Sequence, residues 1–303
     1  MISAKNRIRS EEIRQQSQHV LFVEGQDKNS LDPKVLGELL DPSIKIETLG
    51  PSYSVKSVAE GLFKYHPTYY FLIDRDHHDD DFVESCWKNF PNPERNNLLV
   101  WRRRELENYF LDPKYLSQSK FCRTDEAKLE DKILKCANTR LFLDAANYVV
   151  TSIREELKQN WIQKFTNPAE FSNKEQALDK LQKTKEFNQY CTNVHQKVSF
   201  AEIEHRFIEY LQQMIGGEED QLKFGHGNWL NMIQGKPILL QVINSNYFQV
   251  TAKDGTYVMG RDKLHEIVKD LLRNANIEQP DDFVSLKRLI QSRINETSKI
   301  EVK

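Results

Sequence analysis

Four short apolar or β-branched runs lie in the first hundred residues, unbroken in all but the second: 19–23 (HVLFV), 44–49 (IKIETL), 69–73 (YYFLI) and 98–101 (LLVW). Runs of this length without polar alternation suit strands covered on both faces, which is the condition of a parallel sheet. Helical spacing fills the gaps. Residues 31–40 carry Val35, Leu36, Leu39 and Leu40, and residues 54–65 carry Val55, Val58, Leu62 and Phe63 behind Ser54, a suitable N-cap. Strands alternating with ten-residue helices predict βαβ units, so the expected fold class is α/β, with a mostly parallel sheet flanked by helices.

The acids stand where three of these runs end. Glu24-Gly25-Gln26-Asp27 follows the first, Asp74-Arg75-Asp76 the third, and Arg102-Arg103-Arg104-Glu105-Leu106-Glu107 the fourth. In an open α/β sheet, ligands bind outside the carboxyl ends of the strands, so parallel strands would gather all three clusters on one edge. If the third strand runs on, Asp74 and Asp76 share a face. Carboxylates brought that close repel unless a cation lies among them. An all-oxygen donor set suits Mg²⁺, or Mn²⁺, rather than zinc.

These motifs resemble a known family. VLFVEG at 20–25 followed by FLIDRD at 71–76 is similar to the TOPRIM catalytic module, which places a glutamate after its first strand and a DxD after a later one to bind Mg²⁺. RRELENYFLDP at 103–113 resembles the corresponding stretch of OLD-like TOPRIM nucleases from bacterial anti-phage systems. In those relatives a lysine beyond a helical insertion completes the site, and QGKPILL at 234–240 resembles that element. Carried over by position, the resemblance implies metal binding by Glu24, Asp74, Asp76 and Glu107, with Lys236 as a further catalytic residue. Many relatives carry a second acid four residues after the first glutamate. Here that position is Lys28 and the nearby acid is Asp27, so the resemblance gives Asp27 no clear role.

Within the family, the likeness is to small stand-alone TOPRIM subunits encoded beside an ABC-type ATPase in two-gene phage-defence systems of the PARIS type. It implies a toxic endonuclease using one or two Mg²⁺ ions, released from an ATPase sensor partner, and a homodimer in its active state. The implied substrate is RNA, tRNA in particular, ahead of DNA. A non-catalytic docking subunit and a DNA-specific nuclease are the alternatives.

Composition sets limits on these readings. Forty-three Lys+Arg against forty-five Asp+Glu give a net charge of -2 over 303 residues, so any polyanion must be held locally or through metal ions. No nucleotide loop is present: the first glycine of a Walker pattern ending at Gly235-Lys236 would fall on Leu230, as would the third glycine of a dinucleotide fingerprint beginning at Gly225. Cys86, Cys122, Cys136 and Cys191 form no CxxC pair, no apolar run reaches membrane-spanning length, and no secretory signal opens the chain, so a cytoplasmic protein without a membrane partner is expected.

Three segments are expected: a catalytic core over 1–113, a helical insertion over 114–221, and 222–303, which completes the core with the Lys236 element and C-terminal helices. Within the last, 237–243 and 247–250 read as strand-like, the former equally able to begin a helix. Helices are expected near 262–274 and 281–295. Ser172 and Ser199 each open a capping box. Trp161, Phe165 and Phe171 read as packing within the insertion, 77–81 (HHDDD) as a polar loop, and 102–104 as either a phosphate grip or an exposed basic turn.

Overall fold

The computed structural model describes residues 19–25, 30–62, 65–92, 94–159, 167, 172–183, 185–217 and 221–300. Asp27, Trp161, Phe165 and Phe171 lie outside the described residues. The chain divides into two compact units, one of residues 1–137 and 230–303, the other of 138–229.

The first unit holds a four-stranded sheet in which every pairing is parallel. In chain order it runs β1 (His19–Val23), α1 (Leu31–Leu39), β2 (Ile44–Thr48), α2 (Ser52–Leu62), β3 (Tyr69–Ile73), α3 (Asp80–Asn89) and β4 (Leu98–Val100). Every residue of β1, β3 and β4 is buried. Strand order is β2-β1-β3-β4. The chain therefore leaves β1 toward one side to make β2, then crosses back to make β3 on the other. Right-handed crossovers place α1 on one face of the sheet and α2 and α3 on the other. By the topology of open α/β sheets, this reversal between β1 and β3 marks the crevice at their carboxyl ends as the place for a ligand.

A 3₁₀ segment (Leu106–Leu111), α4 (Pro113–Ser117) and α5 (Glu126–Asn138) follow. The stretch from Glu105 to Pro113 consists largely of structural fasteners. Tyr109 Oη accepts from the backbone of Arg102 and Arg103 and donates to Asp282. Asp112 caps α4 through the Tyr115 N–H at 3.0 Å, with Pro113 in the first turn. The Tyr109 ring packs with Trp101 and Phe283 into an aromatic cluster behind the strand ends.

The second unit contains α6 (Leu141–Gln159), α7 (Lys174–Lys183), α8 (Lys185–Lys197) and α9 (Phe200–Ile215). Leu141, Ala145, Tyr148, Val149 and Ile153 form the buried stripe of α6. Arg206 of α9 pairs with Glu156 of α6 at 2.5 Å. Ser199 caps α9 by accepting from the Glu202 N–H, and Gly216 ends the helix in the left-handed region at φ 65°. The cap before α7 is Asn173, which accepts from Gln176, not Ser172.

After α10 (Trp229–Met232), the chain adds α11 (Gly235–Ile243), α12 (Gly260–Arg273) and α13 (Asp281–Ile300) to the first unit. Residues 237–243 are thus helix rather than strand. Burial of Ile238, Leu239, Val242 and Ile243 follows helical spacing, and Pro237 falls in the first turn, where its missing N–H costs nothing. Residues 247–250 form no strand; Phe248 makes an isolated bridge to Cys122. Among the described residues, no helix is long and apolar enough to cross a membrane.

Candidate active site

Glu24 leaves β1 and Asp74 leaves β3 at the mouth of the crevice. The Asp74 backbone N–H donates to Glu24 Oε1 at 2.9 Å, tying the two strand ends together. β3 ends at Ile73, so the two-residue alternation that would have put Asp74 and Asp76 on one strand face does not apply. Asp76 instead sits in the left-handed region at φ 49°, a conformation that aspartate tolerates better than most residues. Arg75 between them is buried and holds the loop, donating to the carbonyls of Arg102 at 2.9 Å and His78 at 3.1 Å and to Asp80 at 2.5 Å.

Glu107 is buried in the 3₁₀ segment. Asp32, which sequence reasoning missed, comes from the first turn of α1 and joins the same group. Its available signal was an acid in the first turn of the helix that follows the Glu24 strand. Glu105, quoted in the motif but given no role, is the other omission.

The electrostatics show how closely these groups interact. Burial pushes the Glu107 carboxyl up to about 8, helped by the charges of Asp32 and Glu105 and opposed by Lys236. Burial raises Glu24 to about 7, with Asp76 and Asp32 adding and Lys56 subtracting. Asp32 rises to about 6, again through burial, with Lys236 opposing. Asp74 is held well above the usual carboxylate range by burial and then by Asp32, Glu24, Glu107 and Glu105. Asp76 is raised by burial, against Arg104, Lys56 and a hydrogen bond from Ser52. Six carboxylates from four segments act on one another at the crevice.

Lys236 enters through a fitted joint. Asn108 Nδ2 donates to the carbonyls of Leu230 and Ile233 at 2.9 and 3.0 Å, while its Oδ1 accepts from Glu105 N at 3.2 Å. Gly235 lies so close that an added Cβ would meet Asn108 Oδ1 at 2.2 Å and Asn108 N at 2.9 Å. The Lys236 N–H then donates to Glu105 Oε2 at 3.0 Å, and its side chain is exposed on the Asp32 and Glu107 side of the group. Gly235→Ala should cost about 1–3 kcal/mol, since the bonded Asn108 cannot give way. A melting temperature equal to wild type would contradict this docking.

Two of the three arginines are committed away from the carboxylates, while the charge of Arg104 acts on Asp76. Arg102 binds Glu84 and Asp282 at 2.5 Å each and stacks on Trp87; Arg103 donates to Asn108 O at 2.6 Å; buried Arg104 donates to the Met232 carbonyl.

Two observations bear on a divalent cation. Asp74 Oδ1 is inaccessible and accepts no hydrogen bond, an omission that costs about 1–3 kcal/mol. The donors around it are all oxygen, which fits a hard ion. Among the described residues, no three His, Cys, Asp or Glu side chains form a ready-made cage. By donor chemistry and by the orphaned oxygen, Glu24, Asp32, Asp74, Asp76 and Glu107 fit such an ion.

A stability test follows from the raised carboxyls. Each binds its proton more tightly folded than unfolded, so the folded state holds more protons between the two pKa values, and stability falls as pH rises. The melting temperature in EDTA should fall from about pH 4, where these carboxyls ionise in the unfolded chain, to about pH 8, levelling off as Asp32, Glu24 and Glu107 ionise in turn in the folded protein. Millimolar Mg²⁺ should restore it at the upper end. Identical melting in EDTA and Mg²⁺ near pH 8 would contradict cation binding.

No protein-family model matches this chain, and no curated protein matches it.

Proposed function

We propose that the chain is a Mg²⁺-dependent endonuclease of TOPRIM type. The observation that carries the reading is the gathering of Glu24, Asp32, Asp74, Asp76 and Glu107 at the β1/β3 crevice with Lys236 facing them. When bound, Mg²⁺ supplies an activated water and offsets charge on a phosphodiester. The protein's own residues hold and orient. Glu24 and Asp74 are fixed to each other through the backbone, Arg75 locks the loop that carries Asp76, and the Asn108–Gly235 joint sets Lys236 at the rim. There Lys236 would neutralise charge developing on the scissile phosphate.

The wider role, a toxic effector of phage defence released from an ABC-type ATPase, rests on the motif resemblance. So does the preference for tRNA, which the net charge of -2 supports, because a small structured target can be gripped by local contacts. Labelled tRNA and plasmid DNA incubated with Mg²⁺, Mn²⁺ or Zn²⁺ test the proposal. Cleavage is expected with Mg²⁺ and Mn²⁺, with zinc a poor substitute and tRNA the better substrate. Full activity in EDTA would contradict it.

A further inference from the structure

A second lysine, Lys56, acts by its charge on a different pair of these carboxylates from the pair on which Lys236 acts. Lys56 lies one turn beyond Ser52 on α2, and both act on Asp76, Ser52 by a hydrogen bond and Lys56 by its charge. Lys56 also opposes the charge of Glu24. Its half-buried side chain is held in place, with the ammonium 2.6 Å from His78 Nε2. An ammonium can only donate, so His78 accepts at that nitrogen. The His78 ring in turn packs against Phe82 at 4.6 Å, and Arg75 bonds the His78 carbonyl. The loop that carries Asp76 thus also carries the residue that aims Lys56. The bond to His78 uses one of its three donors and leaves two for a ligand.

We propose that Lys56 contacts substrate phosphate, so that the site grips two phosphates of one strand, Lys236 on the Asp32 and Glu107 side and Lys56 on the Glu24 and Asp76 side. The substrate class is then a polynucleotide strand rather than a small phosphate ester. This rests on the nuclease reading and deepens it.

The experiment measures anisotropy of a labelled single-stranded oligoribonucleotide bound to the full chain, with Ca²⁺ in place of Mg²⁺, over a salt series. Each phosphate contact adds about 0.7 to the slope of log K against log salt for single strands. Lys56→Ala should lower the slope by about that amount, whatever the sequence of the oligonucleotide, and Lys56→Arg should retain it. Lys88→Ala, at an exposed lysine of α3, should leave it unchanged. A wild-type slope in Lys56→Ala, or an equal loss in Lys88→Ala, overturns the proposal. A wild type that shows the Lys56-dependent slope yet cuts nothing with Mg²⁺ would sink the nuclease reading and leave the contact standing. Absence of any binding by wild type overturns the proposed contact, while cleavage of labelled tRNA with Mg²⁺ by the same protein would leave the nuclease reading standing.

Discussion

Asp74→Asn is expected to abolish cleavage while making the metal-free protein more stable at neutral pH. Both effects come from one change. Asp74 sits among Glu24, Asp32, Glu105 and Glu107, each of which disfavours its ionised form, and its Oδ1 has no hydrogen-bond donor. Asparagine keeps the shape and removes the charge, so repulsion in the empty site falls. A gain of about 1 kcal/mol would raise the melting temperature by a few degrees at this chain length. Cleavage should drop by at least about 10³-fold, because groups that act as one catalytic unit fail together. Glu24→Gln should behave alike. Loss of activity together with loss of stability would mean that these acids serve the fold instead.

Lys236→Ala should lower the single-turnover cleavage rate by about 10²-fold or more with metal saturating, the scale seen on removing one preorganised electrostatic group. The joint that positions this residue uses its backbone and Gly235, not its side chain. Truncation of an exposed side chain should therefore change stability by no more than about 0.5 kcal/mol. Lys236→Arg should rescue only in part, since a planar fork does not reproduce a point charge at one oxygen. A wild-type rate in Lys236→Ala would remove the lysine from the site and leave the docking of α11 without a catalytic purpose.

Strands β1, β3 and β4 were legible because burial on both faces writes itself into sequence as unbroken apolar runs, whereas the edge strand β2, only partly buried, alternates apolar and polar residues. The strand ends were legible because Glu24 and Asp74 follow those runs directly. What escaped the sequence depended on contacts between distant segments or on local backbone geometry. Asp32 joins the cluster only because α1 starts at the same sheet edge as β1 ends, eight residues from Glu24. The placement of Asp76 turns on a single left-handed residue after β3, which period-two reasoning cannot foresee. Residues 237–243 are apolar enough for either a strand or a helix, and the close fit of Gly235 on Asn108 belongs to the helix. The arginines at 102–104 look free in sequence, yet their partners Glu84, Asp282 and Met232 come from elsewhere in the chain.

The central claim, that these acids form a centre for a hard divalent cation, is tested most directly by titrating Mn²⁺ into the protein and following free ion by electron paramagnetic resonance. Saturable binding is predicted for wild type, displaced by Mg²⁺ and weakened at least about tenfold in Asp74→Asn, the loss expected when a charged ligand becomes neutral. Wild-type protein that takes up no Mn²⁺, or Asp74→Asn that binds it as well as wild type, would contradict the account.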